Sequence, residues 1–196
     1  KNGKFVRSTN TMYLAKDVTV VEMLPNIAGA NDREISEILL NSYIKKGIDF
    51  KLGAKVVSLG KDTISYELNG ETVEVKADCV LVSIGRRAHT MGVGLETIGV
   101  ELNRGAVVTD DFCRTNVPGV YAAGDVNGKS MLAHTAYREG EVAVNNMLGK
   151  SDRMNYNSIP SVIYTNPEVA SVGETSETIK AKGIDAKVES YTLRYS

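Results

Sequence analysis

The sequence has no tryptophan, only two cysteines, four prolines and three phenylalanines among its 196 residues. The cysteines, Cys79 and Cys113, stand 34 positions apart. Their number and spacing exclude a disulfide framework and a zinc-ligand cluster, and point to a reducing, cytoplasmic setting. Charge of either sign is not in excess: 23 Lys+Arg face 24 Asp+Glu, a net charge of -1. That balance removes the electrostatic case for nucleic acid or an anionic membrane. No apolar run approaches the ~20 residues of a membrane span. Nor does Lys1-Asn2-Gly3-Lys4 lead into a signal-peptide core. What remains, 42% hydrophobic and 24% charged, is the composition of a soluble globular α/β-type chain.

What is present alternates strand and helix patterns. Residues 1–16 are polar and without period. Val18-Thr19-Val20-Val21 is a β-branched run suited to a strand buried on both faces, and Glu22 closes it. A helix is expected over about 32–46, with Asn31 as N-cap and Glu34 completing a capping box. Ile35, Ile38, Leu39 and Tyr43 form its apolar face, and Gly47 suits the left-handed position after its end. Strands are expected over 48–52 and 55–59, then over 63–68 and 72–75 around the hairpin signal Asn69-Gly70. Residues 79–84 read as another continuous apolar strand, with Cys79 an inert core thiol. Cys113 is expected at the surface, with Arg114 its only cationic neighbour. Strand, crossover helix, meander and return strand together resemble the second half of a nucleotide-binding α/β domain.

After Gly85, short glycine-punctuated segments lead to a strand over 120–123, which meets Gly124-Asp125. A helix is expected over 132–148. A polar, linker-like stretch then leads to strands over 159–164, 170–173 and 187–191, with a helix over 176–182. This last piece is too short to own a core, and the ending at Tyr195-Ser196 falls inside a strand-like run.

Two constellations carry chemistry. A carboxylate such as Glu22, at the carboxyl end of a buried strand, can accept both ribose hydroxyls of adenosine and would repel a 2′-phosphate. Taken without other signals, the same residue reads more often as a solvated strand-end charge. Its usual companion, a glycine-rich turn about 20 residues upstream, is missing, because residues 1–21 hold one glycine, Gly3. The second constellation is Val120-Tyr121-Ala122-Ala123-Gly124-Asp125 followed by Met131-Leu132-Ala133-His134. Small residues and glycine let a ligand approach the backbone. The aspartate can accept from a ribityl-type hydroxyl, and a helix N-terminus offers free N–H groups.

Thr19-Val20-Val21-Glu22, Val82-Ser83-Ile84-Gly85-Arg86-Arg87, the stretch 114–125, Met131-Leu132-Ala133-His134 and the stretch 160–169 together resemble the dihydrolipoamide dehydrogenases. These are FAD-containing pyridine nucleotide-disulfide oxidoreductases. The resemblance covers about residues 18–196. It implies partial Rossmann-like FAD/NAD(P)-binding domains followed by the start of an α+β dimerisation domain. Residues 1–88 would be part of the NAD-binding domain, 89–153 the C-terminal part of the FAD-binding domain, and 154–196 the start of the interface domain. Glu22 would take the adenosine ribose of NAD, Val56 would line the adenine pocket, and Gly85 would flank the NAD cleft. Gly124 and Asp125 would meet the ribityl chain of FAD, and Met131, Leu132, Ala133 and His134 would lie against the flavin. The implied partners are a second copy of the parent enzyme and the lipoyl domain of a 2-oxoacid dehydrogenase or glycine cleavage complex.

The departures are as informative. The family's Cys-x-x-x-x-Cys redox pair, its N-terminal FAD glycine fingerprint and its C-terminal His–Glu pair have no counterpart in these residues. Ala88 and His89 stand where the family has proline and asparagine. No catalytic residue is therefore assigned, and the isolated chain is expected to be inactive. Two other readings stay open: a related flavin reductase acting on another disulfide or a metal ion, and a non-catalytic oligomerisation fragment. Arg86-Arg87 read equally as phosphate contacts and as a solvated pair. Tyr156 and Tyr164 read as dimer-surface or half-buried sheet residues.

Overall fold

The computed structural model describes residues 17–29 and 31–192. The polar stretch 1–16 and the final residues 195–196 lie outside the described residues. The chain divides into two compact units, one formed by residues 1–82 with 162–196, the other by residues 83–161.

In the first unit, β1 (Val18–Glu22) lies parallel to β2 (Ile48–Leu52), from Val18 opposite Ile48 to Glu22 opposite Leu52. The crossover is α1 (Arg33–Lys45), and Gly47, at φ 87°, closes it by donating to the Ile44 carbonyl at 2.9 Å. The expected capping box at Asn31 does not form. The Asn31 amide donates to the Ala28 carbonyl instead, at 2.9 Å, and Asp32 becomes the N-cap. The Asp32 carboxylate does not turn back on its own helix. It accepts from the N–H and hydroxyl of Ser176, at 2.8 and 2.7 Å. These bonds hold its carboxyl below the usual range. Of the expected apolar face, Leu39 is buried while Ile35 and Ile38 are exposed. β1 is half-buried rather than covered on both faces, because its sheet has two strands among the described residues.

A meander follows: β3 (Lys55–Leu59), β4 (Thr63–Leu68) and β5 (Glu71–Lys76) pair antiparallel in that order. Leu68 stands opposite Glu71, so Asn69-Gly70 is a two-residue turn, with φ 54° and 84°. Positive φ at both positions is the type I′ geometry that matches strand twist. Tyr66, on the central strand, is buried. Later in the chain β8 (Ser161–Ile163) pairs with β9 (Val169–Ser171), and α3 (Ser176–Lys182) follows. Thr175 and Thr178 cap α3 reciprocally, and Gly183 ends it at φ 64°. Residues 187–191 are exposed and form no strand.

The apolar stretch 79–84 is the largest correction to the sequence reading. It is not a paired strand; Ile84 is 93% exposed, and Cys79 is an exposed thiol. A strand apolar on both faces needs neighbours on both sides, and among the described residues none pairs with it.

In the second unit, β6 (Leu102–Asn103) and β7 (Ala106–Val107) form a tight hairpin over Arg104-Gly105. The core is built on α2 (Ala133–Met147), whose Val142 and Ala143 pack with Cys113 and Met154 against Tyr121, Tyr156 and Ile159. Cys113 is fully buried, not exposed as expected. Burial, followed by the charge of Glu139, pushes its thiol up to about 11. The expected strand over 120–123 shrinks to one bridge, between Arg114 and Tyr121. The Thr115 hydroxyl takes the Val120 carbonyl at 2.9 Å and closes the Pro118-Gly119 turn locally, and the chain turns again at Gly124.

Candidate cofactor site

The site residues of the second unit gather at the start of α2. Gly124 has φ 82° and ψ −159°, a region reserved in practice for glycine. It lies against α2, where an added Cβ would sit 3.3 Å from the Cβ of Ala136. A 3-10 turn, Asp125–Asn127, follows, and the Asp125 side chain faces outward. Gly128, left-handed at φ 68°, returns the chain towards Met131 and Leu132. Leu132 caps α2 without a side-chain bond, and the first helical bond runs from the Ala136 N–H to the Leu132 carbonyl at 3.0 Å. The N–H groups of Ala133, His134 and Thr135 therefore have no acceptor among the described residues. They carry the positive end of the helix dipole, which suits an electron-rich ligand edge.

Two contacts fix this segment. Arg86 donates to the Met131 carbonyl at 3.2 Å, and the His134 ring nitrogen Nε2 lies 2.8 Å from the Pro160 carbonyl. Gly85, at φ 103°, has nothing within 4 Å of where a Cβ would be, so its backbone is open to approach. Beside Met131 lies an open cleft of about 440 Å³ whose wall carries Arg87, Arg104 and Lys129 and no carboxylate.

In the first unit, Glu22 ends β1. Its Oε1 accepts from the Leu24 N–H at 2.8 Å, and its carbonyl accepts from Ala54 at 2.9 Å. Oε2 has no partner among the described residues. The Ala54 bond brings the start of β3 beside Glu22, with Val56 two residues further on, half-open at the point where β3 bulges.

The sequence matches the pyridine nucleotide-disulphide oxidoreductases over residues 8–140, and the dimerisation domain of the same proteins over residues 159–196. The chain belongs to this family. Among curated relatives it is 42% identical to dihydrolipoyl dehydrogenase of Chlamydia muridarum over 184 residues, 92% of this chain and 39% of the relative. It is 41% identical to the mitochondrial dihydrolipoyl dehydrogenase of Pisum sativum over 182 residues, 89% of this chain and 36% of the relative. Among solved structures, LpdA of Mycobacterium tuberculosis superposes with a TM-score of 0.72 at 30% identity, covering 86% of this chain and 37% of that one. The HOCl-induced flavoprotein disulfide reductase RclA of Escherichia coli, in its Cu(II) complex, gives 0.71 at 25% identity, over 86% of this chain and 40% of that one. The chain thus spans well under half the length of the relatives it matches. No helix among the described residues is long and apolar enough to cross a membrane.

In this chain the structure gathers Gly124, Asp125, Met131, Leu132, Ala133 and His134 around one helix start, with Gly85 on the segment that Arg86 ties to Met131. Glu22 and Val56 share the other unit. Sequence reasoning missed Glu139. This side chain is 0% exposed, and its carboxylate accepts from the Gly124 N–H (2.5 Å), the Asn127 amide (2.9 Å) and the Tyr156 hydroxyl (2.8 Å). Burial first, then the bond to Glu139, raises the Tyr156 phenol far above its ordinary value. The signal was present. Thr135, Glu139, Val142, Ala143 and Asn146 are all buried on one stripe of α2 at helical spacing. A search for apolar residues alone passes over three of the five. No group of three His, Cys, Asp or Glu side chains is placed to hold a metal among the described residues.

Proposed function

We propose that this chain carries part of the cofactor-holding machinery of a dihydrolipoyl dehydrogenase, which oxidises protein-bound dihydrolipoamide through a redox disulfide and FAD and reduces NAD. One observation carries the reading: an outward Asp125 on a glycine turn stands before the unsatisfied N-terminus of α2, within a chain 42% identical to dihydrolipoyl dehydrogenases.

In this reading Asp125 accepts from a ribityl hydroxyl of FAD, with Gly124 allowing close approach. The N–H groups from Met131 to His134 face the electron-rich edge of the flavin. The free Oε2 of Glu22 takes an adenosine ribose hydroxyl of NAD and disfavours a 2′-phosphate; Val56 lies against the adenine and Gly85 beside the NAD cleft. Bound FAD supplies the two-electron relay between dithiol and nicotinamide, and the residues of this chain bind and orient. None of them is assigned a proton-transfer or thiol role. Residues 1–88 belong to the NAD-binding part, 89–153 to the FAD-binding part and 154–196 to the interface part. The match to a dimerisation domain supports a homodimer. A lipoyl domain is the partner, and the absence of any disulfide framework supports the cytoplasm.

The test is an intact mass, a visible spectrum and a dihydrolipoamide-dependent NAD reduction assay on the purified protein. A flavin-loaded species longer than 196 residues that reduces NAD supports the reading. A 196-residue chain that binds flavin tightly and turns over dihydrolipoamide alone would overturn the assignment of a binding role without catalysis. The likeness to RclA in its Cu(II) complex favours a second reading, a flavin reductase for other disulfides or a metal ion. A yellow protein active on glutathione disulfide or Cu(II) but silent with dihydrolipoamide would select it.

A further inference from the structure

We infer that Glu139 is a positioning residue for the Gly124-Asp125 turn, and that it also ties this turn to Tyr156, in the segment that begins the interface part of the chain; the inference rests on the reading of Asp125 as a flavin ligand. The Glu139 side chain lies wholly inside the unit, and a buried carboxylate persists only where donors replace its lost water. It has three, and each comes from a different place in the sequence. Gly124 belongs to the turn itself, Asn127 ends the 3-10 turn that carries Asp125, and Tyr156 lies beyond the end of α2. Charge-assisted bonds of this kind are shorter and about twice as strong as neutral ones.

The geometry gives Glu139 a role beyond filling space. Gly124 is in no strand or helix, and its N–H points at the Glu139 carboxylate rather than at any backbone carbonyl. That bond and the Asn127 bond pin the turn at both ends of Asp125, the next residue after Gly124 and two before Asn127. The Asp125 side chain itself faces outward. With both flanks fixed from behind, its direction is set before any ligand arrives, which is what a binding group needs if ordering is not to be charged against affinity.

The test is NMR on the 196-residue chain, comparing the wild type with Glu139→Gln, Asp125→Ala and Tyr156→Phe, with and without millimolar FAD. In the wild type the Gly124 amide proton is expected far downfield and slow to exchange, although it lies in no ladder. Glu139→Gln presents an amide to the Gly124 donor, so that signal should move upfield and exchange at least tenfold faster, while amides of α2 beyond residue 142 keep their protection. Asp125→Ala should leave the Gly124 signal in place, while Tyr156→Phe, which removes a donor from the same carboxylate, should shift it; an unmoved Gly124 signal in a folded Tyr156→Phe chain overturns the tie to Tyr156. FAD is expected to shift the amides of residues 124–134 in the wild type, about tenfold more weakly in Glu139→Gln, and not in Asp125→Ala. A fast-exchanging Gly124 amide in the wild type overturns the inference without any variant. So does a Glu139→Gln chain that stays folded with Gly124 unmoved. If Gly124 behaves as expected but Asp125→Ala leaves the FAD-induced shifts unchanged, the flavin role of Asp125 fails and the anchoring of the turn by Glu139 stands.

Discussion

Replacing Gly124 by alanine tests whether the site's turn is as constrained as its angles indicate. At φ 82° and ψ −159°, a residue with a Cβ carries about 1–3 kcal/mol of backbone strain. The new methyl would also meet Ala136 at 3.3 Å, tighter than an ordinary carbon contact, and α2 would have to give. Overpacking of that kind costs about 1 kcal/mol at its mild end. Alanine's narrower unfolded ensemble returns about 0.4–1 kcal/mol, which leaves a net loss of about 2–3 kcal/mol. Gly149→Ala is the control. It has a similar φ, 78°, and nothing within 4 Å. A left-handed strain of about 1–2 kcal/mol less the same unfolded-state effect leaves a loss of about 1 kcal/mol. Urea denaturation of the purified chain, followed by far-ultraviolet circular dichroism, compares the two. With a slope of about 1–3 kcal/mol/M, Gly124→Ala should lower the midpoint by about 1–2 M at unchanged slope. A loss no greater than that of Gly149→Ala would refute the argument from Gly124's conformation and packing.

Three further outcomes are expected. Asp152 is held down to about 2, first by its hydrogen bond from Arg138 and then by Asn145. A folded value below the unfolded one stabilises above about pH 4 and fades as pH falls towards 2. Asp152→Asn should therefore lower the denaturation midpoint at pH 5 and converge with the wild type near pH 2. Native chain treated with a thiol-reactive disulfide reagent should label Cys79 at once, and Cys113 only after denaturant is added, since Cys113 is buried with its thiol pushed up to about 11. Val142→Ala, at a fully buried position beside Cys113 and Met154, should cost about 2 kcal/mol in a thermal or urea unfolding experiment.

Local turn and stop signals were read better than non-local ones, although the capping box expected at Asn31 did not form. Asn69-Gly70 fixed a hairpin because a two-residue turn depends on two φ values alone, and helix α3 carries its own stop at Gly183. The strand over 79–84 was misread because pairing is a property of neighbours, and apolar composition cannot say whether neighbours are there. The cysteines came out reversed for the same reason. Cys79 sits in apolar sequence yet is exposed, while Cys113 sits among Asp110, Asp111 and Arg114 yet is covered by α2. That Gly124, Asp125 and Met131 to His134 gather at one helix start was legible because they lie on one continuous stretch of sequence. Glu139 was not, because only the folded helix turns it towards Gly124.

The first unit is discontinuous in sequence, with residues 83–161 intervening before α3 docks on α1 through Asp32 and Ser176. On a ribosome the consequence is an order of events. Strands β1 to β5 and the whole second unit are synthesised before Ser176, and Asp32 waits with its carboxylate oxygens unpartnered. Closing a flexible loop of roughly 80 residues to bring that partner home would cost about 4 kcal/mol. A second unit that has already condensed shortens the effective tether, so early folding of residues 83–161 speeds completion of the unit that surrounds it in sequence.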